Sequence, residues 1–353
     1  MSLNSDLTIA LDVMGGDNGP FITISAAIMA IKKQPELHLI LCGDESIITN
    51  ILARLKIPKD KLADHKQLTI YPTSQVVLMS DKPIVALRNK KDSSMRKALD
   101  LVHEGQAQAC VSAGNTGALL SLAHFVLKNI QGVERPALIS SLPTHDNNKH
   151  VFMLDLGANV FCDSHVLYQF GVMGSVMAEQ VDGIEKPRIA LLNMGEEDIK
   201  GSDHIKLAAV ELSEDKDINY IGFIEGCDIF SNKADVIVCD GFVGNVALKT
   251  CEGVARLVYQ KSKTAFSASL LAKLFGSLIK PSFKKLFKTM NPDQYNGASL
   301  IGLRGIVVKS HGNANATAFL AAIEEAIKEV ERQVPEKIKA SIEYGFSNRS
   351  STL

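Results

Sequence analysis

Short runs of β-branched and other apolar residues alternate along this chain with longer stretches whose apolar positions recur at helical spacing. Runs that are apolar almost throughout, such as LHLILC at 37–42 and DVIVC at 235–239, are typical of strands in a sheet that helices cover on both faces. The predicted strands are 7–13, 37–42, 67–71, 108–112, 136–141, 150–154, 188–192, 218–224, 235–239 and 305–309. The predicted amphipathic helices are 20–33, 44–55, 93–104, 115–128, 163–181, 203–214, 243–262 and 312–332.

This alternation of strands and helices predicts an α/β fold, a three-layer and largely parallel sheet with helices on both faces. One segment departs from it, because the strand patterns at 136–141 and 150–154 are joined by a polar turn instead of a helix. We expect these two strands to form an antiparallel pair. No fixed-period repeat and no low-complexity segment is present. The length allows one large or two smaller domains, and we expect residues 1–353 to form a single α/β catalytic domain.

The composition is that of a globular protein with a large core, since 46% of the 353 residues are hydrophobic and 22% are charged. A net charge of −1 gives no reason to expect nucleic acid as a partner. The N-terminus passes into a strand pattern without a secretory cleavage site, and no apolar run reaches the length of a membrane span. The six cysteines contain no Cys-x-x-Cys pair, so we expect structural thiols in a reducing cytosol.

The charge is unevenly distributed, because residues 254–292 contain eight Lys or Arg and no Asp or Glu. Apolar residues recur at helical spacing through this segment, and Pro281 should end or kink its first helix. A basic amphipathic helical hairpin favours a position in a membrane interface; a dimer contact with a solvated basic face is the other interpretation. The residues expected to contact the membrane are Leu274, Phe275, Leu278 and Ile279.

Three apolar runs each lead into a turn rich in Gly, Asn or Ser and then into a helix pattern. The turns are SAGNTG at 112–117, DGFVGN at 240–245 and SHGNAN at 310–315. Each should leave backbone N–H groups at a helix N-terminus, where they and the helix dipole stabilise an anion. If the strands are parallel and adjacent, the turns meet at one edge of the sheet. The sequence therefore predicts an enzyme that handles phosphate or a phosphorylated group.

The turn at 112–117 lacks the Gly-Lys-Ser/Thr ending of a nucleotide P-loop. Its hydroxyl groups and helix N-terminal amides suit inorganic phosphate, and an ordinary helix N-cap is the alternative. The predicted phosphate ligands are Ser112, Gly114, Asn115, Thr116 and Gly117.

The first strand runs into a glycine-containing loop, DVMGGDNGP at 12–20. Its glycines do not have the spacing of the dinucleotide-binding fingerprint, so the loop either approaches a ligand closely or makes a tight turn. The residues that we assign to a substrate loop here are Asp12, Gly15, Gly16 and Asp17.

Basic side chains near other strand ends are further candidates. Lys200 offers a point charge for phosphate, with a solvated loop lysine as the alternative. Arg88 and Arg135 suit a forked contact with phosphate and are placed with the substrate loop. His311, which follows the last strand beside Lys309, is a candidate general acid or oxyanion donor, or else a structural histidine at a helix start.

Several site classes are disfavoured by what the sequence lacks. There is no G-x-S-x-G elbow for a serine hydrolase, no H-E-x-x-H motif and no Cys/His spacing for a metal, so neither a metal nor a cofactor is predicted. His150 and Asp155 match the H-x-x-x-x-D spacing of glycerolipid acyltransferases. On a strand they would face opposite sides, and we interpret the match as chance.

Eight motifs, in order and at matching spacing from about Leu7 to Val330, together resemble the bacterial phosphate acyltransferase family PlsX. They are IALDVMGGDNGP, VSAGNTGALL, ERPAL, LDLGAN, LLNMGEEDIKG, GFIEG, VCDGFVGNVALKTCEG and GLRGIVVKSHGNA. The resemblance implies a fold similar to that of isocitrate and isopropylmalate dehydrogenases and phosphotransacetylase. It also implies an enzyme that makes acyl-phosphate from acyl-acyl carrier protein and inorganic phosphate.

The same resemblance implies a cytoplasmic homodimer that associates peripherally with the inner face of the membrane. Its product would pass to a membrane-bound glycerol-phosphate acyltransferase, as the first step toward phosphatidic acid.

This chemistry agrees with the residues, because a phosphate oxygen is already anionic and requires no activated Ser or Cys. We expect Lys200 to join the 112–117 turn in holding phosphate. We expect Asn245, Lys309 and His311 to polarise the thioester or to stabilise the oxyanion.

Two other functions stay open. A metal-dependent hydroxyacid dehydrogenase of related fold would need an aspartate cluster, for which Asp12, Asp235 and Asp240 are available, but its cofactor signature is absent. A non-catalytic membrane adaptor would use the basic hairpin to recruit partners.

Overall fold

The computed structural model of the chain describes residues 7–57, 67–146, 149–267 and 297–350, with backbone only at 267 and 345–350. The strands are β1 Thr8–Asp12, β2 His38–Gly43, β3 Leu68–Pro72, β4 Ala109–Ser112, β5 Ala137–Pro143, β6 His150–Leu154, β7 Arg188–Leu192, β8 Asn219–Ile224, β9 Val236–Val238, β10 Ala298–Ile301 and β11 Ile306–Lys309. The α-helices are α1 Pro20–Lys33, α2 Glu45–Arg54, α3 Pro83–Asn89, α4 Ser94–His103, α5 Thr116–Leu127, α6 Ser164–Asp182, α7 Asp203–Glu214, α8 Gly241–Ser267, α9 Ala316–Arg332 and α10 Val334–Ser350.

All eleven strands form one sheet in the order β3-β2-β1-β4-β11-β10-β5-β6-β9-β7-β8. The first five strands of this order are mutually parallel and form the first block. The last four are also mutually parallel and form the second block. Between the blocks, β10 and β5 are antiparallel to both of their neighbours. The predicted α/β fold with a largely parallel sheet is confirmed, and so is the antiparallel pair within 136–154.

The second block runs opposite to the first, because three antiparallel pairings separate β11 from β6. The turns after β4 and β11 are therefore neighbours, as predicted. The 240–245 turn follows β9, which lies in the second block. The condition of adjacent parallel strands is thus met by the turns after β4 and β11 and not by the 240–245 turn. The sequence analysis missed β10, which makes two of these three antiparallel pairings. Its four residues lie between Gly297 and Gly302, whose φ angles are 134° and 89°, and glycines at both ends are typical of turns.

The core lies on both faces of the sheet, as the doubly apolar strands predict. Alternate residues of a strand face opposite sides, so Ile9 packs in one buried cluster with Ile24 of α1 and Phe319 of α9. Its neighbour Ala10 packs in another cluster, with Leu119 of α5. A third cluster lies around α6 in the second block.

The predicted basic hairpin at 254–292 is described only in part. Residues 254–267 continue α8, the long helix that begins at Gly241. The rest of the hairpin, including the four expected membrane residues Leu274, Phe275, Leu278 and Ile279, lies outside the described residues. Among the helices that the structure describes, none combines the length and apolar character needed to cross a bilayer.

Candidate active site

Three adjacent parallel strands of the first block end in polar residues at the same register. Ser112 at the end of β4 is paired with Asp12 of β1 on one side and with Lys309 of β11 on the other. Paired residues of neighbouring strands point to the same face, so the three side chains gather there. Their exposed fractions are 0%, 1% and 7%, respectively. The sequence-predicted residues Asp12, Ser112 and Lys309 thus form a buried polar cluster at the carboxyl edge of the sheet.

Hydroxyl groups hold the Asp12 carboxylate. Ser112 Oγ donates to Asp12 Oδ2 at 2.6 Å, and Ser94 Oγ donates to Oδ1 at 2.6 Å. Ser112 Oγ in turn accepts the N–H of Gly114 at 3.0 Å. Burial raises the pKa of Asp12, whereas these hydroxyls, the N–H of Gly15 and the charge of Lys309 act in the opposite direction. Sequence reasoning missed Ser94, because nothing in its local pattern at the start of α4 marks it as a partner of β1.

The Lys309 ammonium is the cation of this cluster. Burial lowers its pKa from 10.5 to about 8, aided by the charge of Lys249, while Asp12 and Asp17 oppose the shift. Its Nζ donates to the carbonyl of Ser310. An anion bound beside this ammonium would favour its protonated form.

The glycine-containing loop after β1 is packed between two turns. A Cβ at Gly15 would lie 2.5 Å from Asp12 Oδ2 and 2.8 Å from the Gly114 nitrogen. The next residue, Gly16, has a φ of 95°. The N–H of Asp17 donates to the carbonyl of Gly312 at 2.7 Å. The loop therefore brings the 112–117 and 310–315 turns together, and only glycine fits at its closest approach.

Asn115 is engaged at both ends of its side chain. Its Oδ1 accepts the N–H of Ala118 at 3.0 Å and caps α5, while its Nδ2 donates to the carbonyls of Met79 at 2.8 Å and Asp81 at 3.0 Å. Its side chain is thus an N-cap and a clamp on the 78–82 loop, so any contact with phosphate has to come from its backbone. This is the N-cap alternative that the sequence left open.

The first turn of α5 carries the remaining residues of the 112–117 turn. The N–H groups of Thr116 and Gly117 have no acceptor within the helix and are the donors suited to phosphate. Gly117 is packed against α3, since a Cβ there would lie 3.2 Å from Pro83 Cγ. Arg88 lies exposed near the C-terminal end of the same short helix, and its contact with phosphate stays a prediction.

A second buried carboxylate organises the other block. Asp155, after β6, accepts the N–H groups of Leu138, Gly157 and Ala158 on Oδ1 at 2.9–3.1 Å. Both the backbone N–H and the side-chain amide of Asn159 donate to its Oδ2, at 2.7 and 2.9 Å. Burial raises the pKa of Asp155, and these N–H donors oppose that shift. Asp155 thereby fixes the 155–159 loop.

The 240–245 turn is seated on this loop. A Cβ at Gly244 would lie 1.9 Å from the Asp155 carbonyl oxygen, so the helix start fits only without a side chain there. Asn245 lies beside Gly157, and Arg135 Nη1 donates to the carbonyl of Phe161 at 3.2 Å. Asn245 and Arg135, distant in sequence, are thus neighbours of one loop.

Lys200 lies in the loop after β7, also in the second block. Its N–H donates to the carbonyl of Glu197 at 2.9 Å, and its carbonyl accepts from Asn193 Nδ2 at 3.2 Å. The residue is exposed. Its side chain is available to an anionic substrate, and its contact with phosphate stays a prediction.

Helix α8 connects the two groups of candidates. It starts at the 240–245 turn in the second block, and its Glu252 Oε1 lies 4.0 Å from Nε2 of His311 in the first block. Asn245 is seven residues before Glu252, which is about 10 Å along a helix axis. The 240–245 turn is therefore connected to the 310–315 turn through α8, by the contact between Glu252 and His311.

The aspartates required by the dehydrogenase alternative are engaged separately. Asp235 forms an ion pair with Arg188 at 2.8 Å, Asp240 Oδ1 accepts the N–H of Val243 at 2.8 Å, and Asp12 holds two serines. They form no cluster. Across the described part of the chain, no three His, Cys, Asp or Glu are arranged to hold a metal ion.

Two minor expectations are also resolved. His150 pairs with Asp182 at 2.5 Å and not with Asp155, so the acyltransferase-type spacing is a chance match. All six cysteines are free thiols, and four of them are buried, where burial raises their pKa.

Comparisons with known proteins extend over nearly the whole chain. The profile of the family described as "Fatty acid synthesis protein" matches residues 7–337. A curated "Phosphate acyltransferase" from Colwellia psychrerythraea strain 34H is 86% identical, over 99% of this chain and 100% of that protein.

Solved structures show the same fold at low identity. A phosphotransacetylase from Streptococcus pyogenes superposes with a TM-score of 0.62 at 15% identity, covering 93% of this chain and 95% of that one. A 4-hydroxythreonine-4-phosphate dehydrogenase from Klebsiella pneumoniae gives a TM-score of 0.54 at 16% identity, covering 92% and 100%. The predicted likeness to the phosphotransacetylase fold is thus confirmed.

Proposed function

Because this chain belongs to the fatty acid synthesis protein family that contains the phosphate acyltransferases, as its resemblance to PlsX implied, we propose that it transfers an acyl group to inorganic phosphate. The donor is acyl-acyl carrier protein, and the product is an acyl-phosphate for phospholipid synthesis. The observation that carries the proposal is the buried Asp12–Ser112–Lys309 cluster beside the N-terminus of α5. A buried ammonium and helix N-terminal amides together suit an anion with several oxygens.

The reaction requires positioning more than nucleophile activation. A phosphate oxygen attacks the thioester carbonyl, a C–O bond forms, the C–S bond breaks, and the thiolate of the carrier protein leaves and takes up a proton. The N–H groups of Thr116 and Gly117 and the Lys309 ammonium hold the phosphate. Two other predicted phosphate ligands, Ser112 and the N–H of Gly114, are already engaged: the buried Ser112 hydroxyl donates to Asp12 and accepts from Gly114, so they fix the turn instead. From the second block, Asn245 donates to the oxyanion of the tetrahedral intermediate.

Two further basic side chains act at the edges of this site. Lys200 approaches the phosphate from the loop after β7, and His311 lies beside Glu252 near the mouth of the site. Neither a cofactor nor a metal takes part in this scheme, because the phosphate already carries the nucleophilic charge.

The test is release of carrier-protein thiol by the purified protein, with acyl-acyl carrier protein as donor. Release should require phosphate and should be insensitive to EDTA and to added nucleotide. Acyl-phosphate should be detected as its hydroxamate. Thiol release at the same rate in phosphate-free buffer would overturn the proposal. Absence of turnover with both substrates present would favour the membrane-adaptor alternative.

The apolar surface of α8 supports a role at the membrane and in a homodimer. Val254, Leu257 and Val258 lie on this helix with exposed fractions of 54%, 53% and 44%. No acidic residue follows Glu252 within the helix. We propose that the cytoplasmic protein forms a homodimer and binds the inner face of the membrane reversibly. It would deliver its product there to a membrane-bound glycerol-phosphate acyltransferase.

The membrane proposal is tested with Leu274→Glu combined with Leu278→Glu. Each lysine near an anionic surface contributes about 1 kcal/mol to the free energy of membrane binding, and salt screens this contribution. Burial of the apolar residues in the membrane adds to the binding free energy. The double variant should lose co-sedimentation with anionic liposomes and keep its activity on soluble donor. Failure of the wild-type protein to bind at low salt, or dissociation of the dimer in the variant, would show that these residues are structural.

A further inference from the structure

Glu252 is the only acidic residue of α8 and lies where this helix approaches the first block. Its side chain is only 12% exposed, yet three basic groups surround it. Lys249 Nζ lies 3.0 Å from both of its carboxylate oxygens, and Arg256 Nη2 lies 3.6 Å from Oε2. His311 Nε2, from the turn after β11, lies 4.0 Å from Oε1. Glu252 lies in the motif VCDGFVGNVALKTCEG, but the sequence analysis had assigned it no role.

The ion pairs of Glu252 with Lys249 and Arg256 are largely exposed on their basic side. The Lys249 and Arg256 side chains are 55% and 71% exposed, and ion pairs in such a setting contribute little to folding. Their geometry has another consequence, since a lysine held at both carboxylate oxygens has its direction fixed. The Lys249 charge also reaches Lys309, whose ammonium it disfavours.

We propose that Glu252 is a positioning residue for acyl transfer. It holds Lys249 and His311 at the mouth of the Asp12–Ser112–Lys309 cluster, and it links the second block to the first through α8. The inference rests on the proposed function, because it assigns Glu252 to the same site. Lys249, Arg256 and the Cys251 thiol on α8, together with His311, are the titratable or charged groups found next to it.

The main variant is Glu252→Gln, which keeps the shape and removes the charge. We expect kcat to fall about tenfold, which is about 1.4 kcal/mol of activation free energy. The KM for phosphate should stay unchanged or fall, because the site gains net positive charge. A merely structural defect would raise that KM as well. Glu252→Asp keeps the carboxylate and should recover most of kcat.

The matched control is Glu324→Gln on α9, which breaks the exposed Lys33–Glu324 pair of 2.6 Å. This variant should behave as wild type. A double-mutant cycle then tests the path through Lys249. If Glu252 acts by holding this lysine, Glu252→Gln should cost much less in a Lys249→Met background than alone.

Three results would overturn the inference: additive effects in the cycle, a raised KM for phosphate in Glu252→Gln, or unchanged kcat. If thermal unfolding shows that Glu252→Gln is not folded, Lys249→Met alone tests the inference, since it should lower kcat without raising the KM for phosphate. The wild-type protein is the separate reference. If it shows no turnover, the proposed function is refuted. If it turns over and Glu252→Gln and Lys249→Met both have wild-type kinetics, only the role of Glu252 is refuted.

Discussion

Replacement of Lys309 by methionine tests the charge at the centre of the candidate site. Methionine keeps most of the length and the apolar stem of the buried side chain and removes its ammonium. Burial lowers the pKa of Lys309 to about 8, so in the free protein this group loses its proton within an accessible pH range. If the protonated form holds phosphate, binding should weaken as that proton is lost.

The expected magnitude follows from a charge-assisted contact. Loss of one hydrogen bond to a charged group costs about 1.5–3 kcal/mol, which is roughly ten- to 150-fold in kcat/KM for phosphate. In the wild type, the same parameter should decline about tenfold per pH unit above pH 8, because it reports the pKa of groups in the free enzyme. Phosphate itself is already a dianion there and does not produce this decline.

The variant should remain folded. The lowered pKa means that the folded protein binds fewer protons than the unfolded chain between pH 8 and 10.5. The buried ammonium therefore costs stability below pH 8, and that cost disappears as the pH rises toward 10.5. Removing it should not by itself lower the thermal midpoint at neutral pH.

The assay is thiol release at saturating acyl donor, with phosphate varied at each pH from 6.5 to 9.5. Lys309→Met should have a low kcat/KM for phosphate that no longer declines above pH 8. Lys33→Met, at an exposed lysine far from the cluster, is the matched control and should keep the wild-type profile. A decline that persists in Lys309→Met at the same pH, or a flat wild-type profile, would refute the assignment.

Three further predictions concern buried groups and close packing. Burial raises the pKa of Glu329 from 4.5 to about 8, so the free energy of unfolding should fall by up to about 1.4 kcal/mol per pH unit as the pH rises between these values. Glu329→Gln should flatten this slope in denaturant titrations, and an unchanged slope would contradict the burial argument. Gly244→Ala should lower the free energy of unfolding by at least about 2 kcal/mol, because its Cβ would lie 1.9 Å from the Asp155 carbonyl oxygen. Gly253→Ala, on the same helix, places its Cβ in open space and should not destabilise the protein, so equal thermal midpoints for the two variants would be inconsistent with this packing. Asn245→Ala should mainly lower kcat, since an oxyanion donor acts in the transition state, and a change confined to KM would remove that role.

The local pattern of the sequence was enough to predict most elements of the fold. A strand with apolar residues on both faces can be predicted to be buried on both faces, and Ile9 and Ala10 do pack in clusters on opposite sides of the sheet. Turns at strand ends are equally local, because glycine at a positive φ and Asn at a helix N-cap act within a few residues. The buried cluster could be anticipated for the same reason: Asp12, Ser112 and Lys309 each stand at the end of an apolar run.

Only the tertiary structure decided which strand ends meet and which side chains are already occupied. The four-residue strand β10 makes two of the three antiparallel pairings that reverse the second block, and the short run ASLI between two glycines was not predicted as a strand. Ser94 and Glu252 reach the site from α4 and α8, and the Asn115 amide is committed to the 78–82 loop. These contacts join residues tens of positions apart. They depend on strand register and helix placement, which are set by the packing of the whole chain and not by the residues that make the contact.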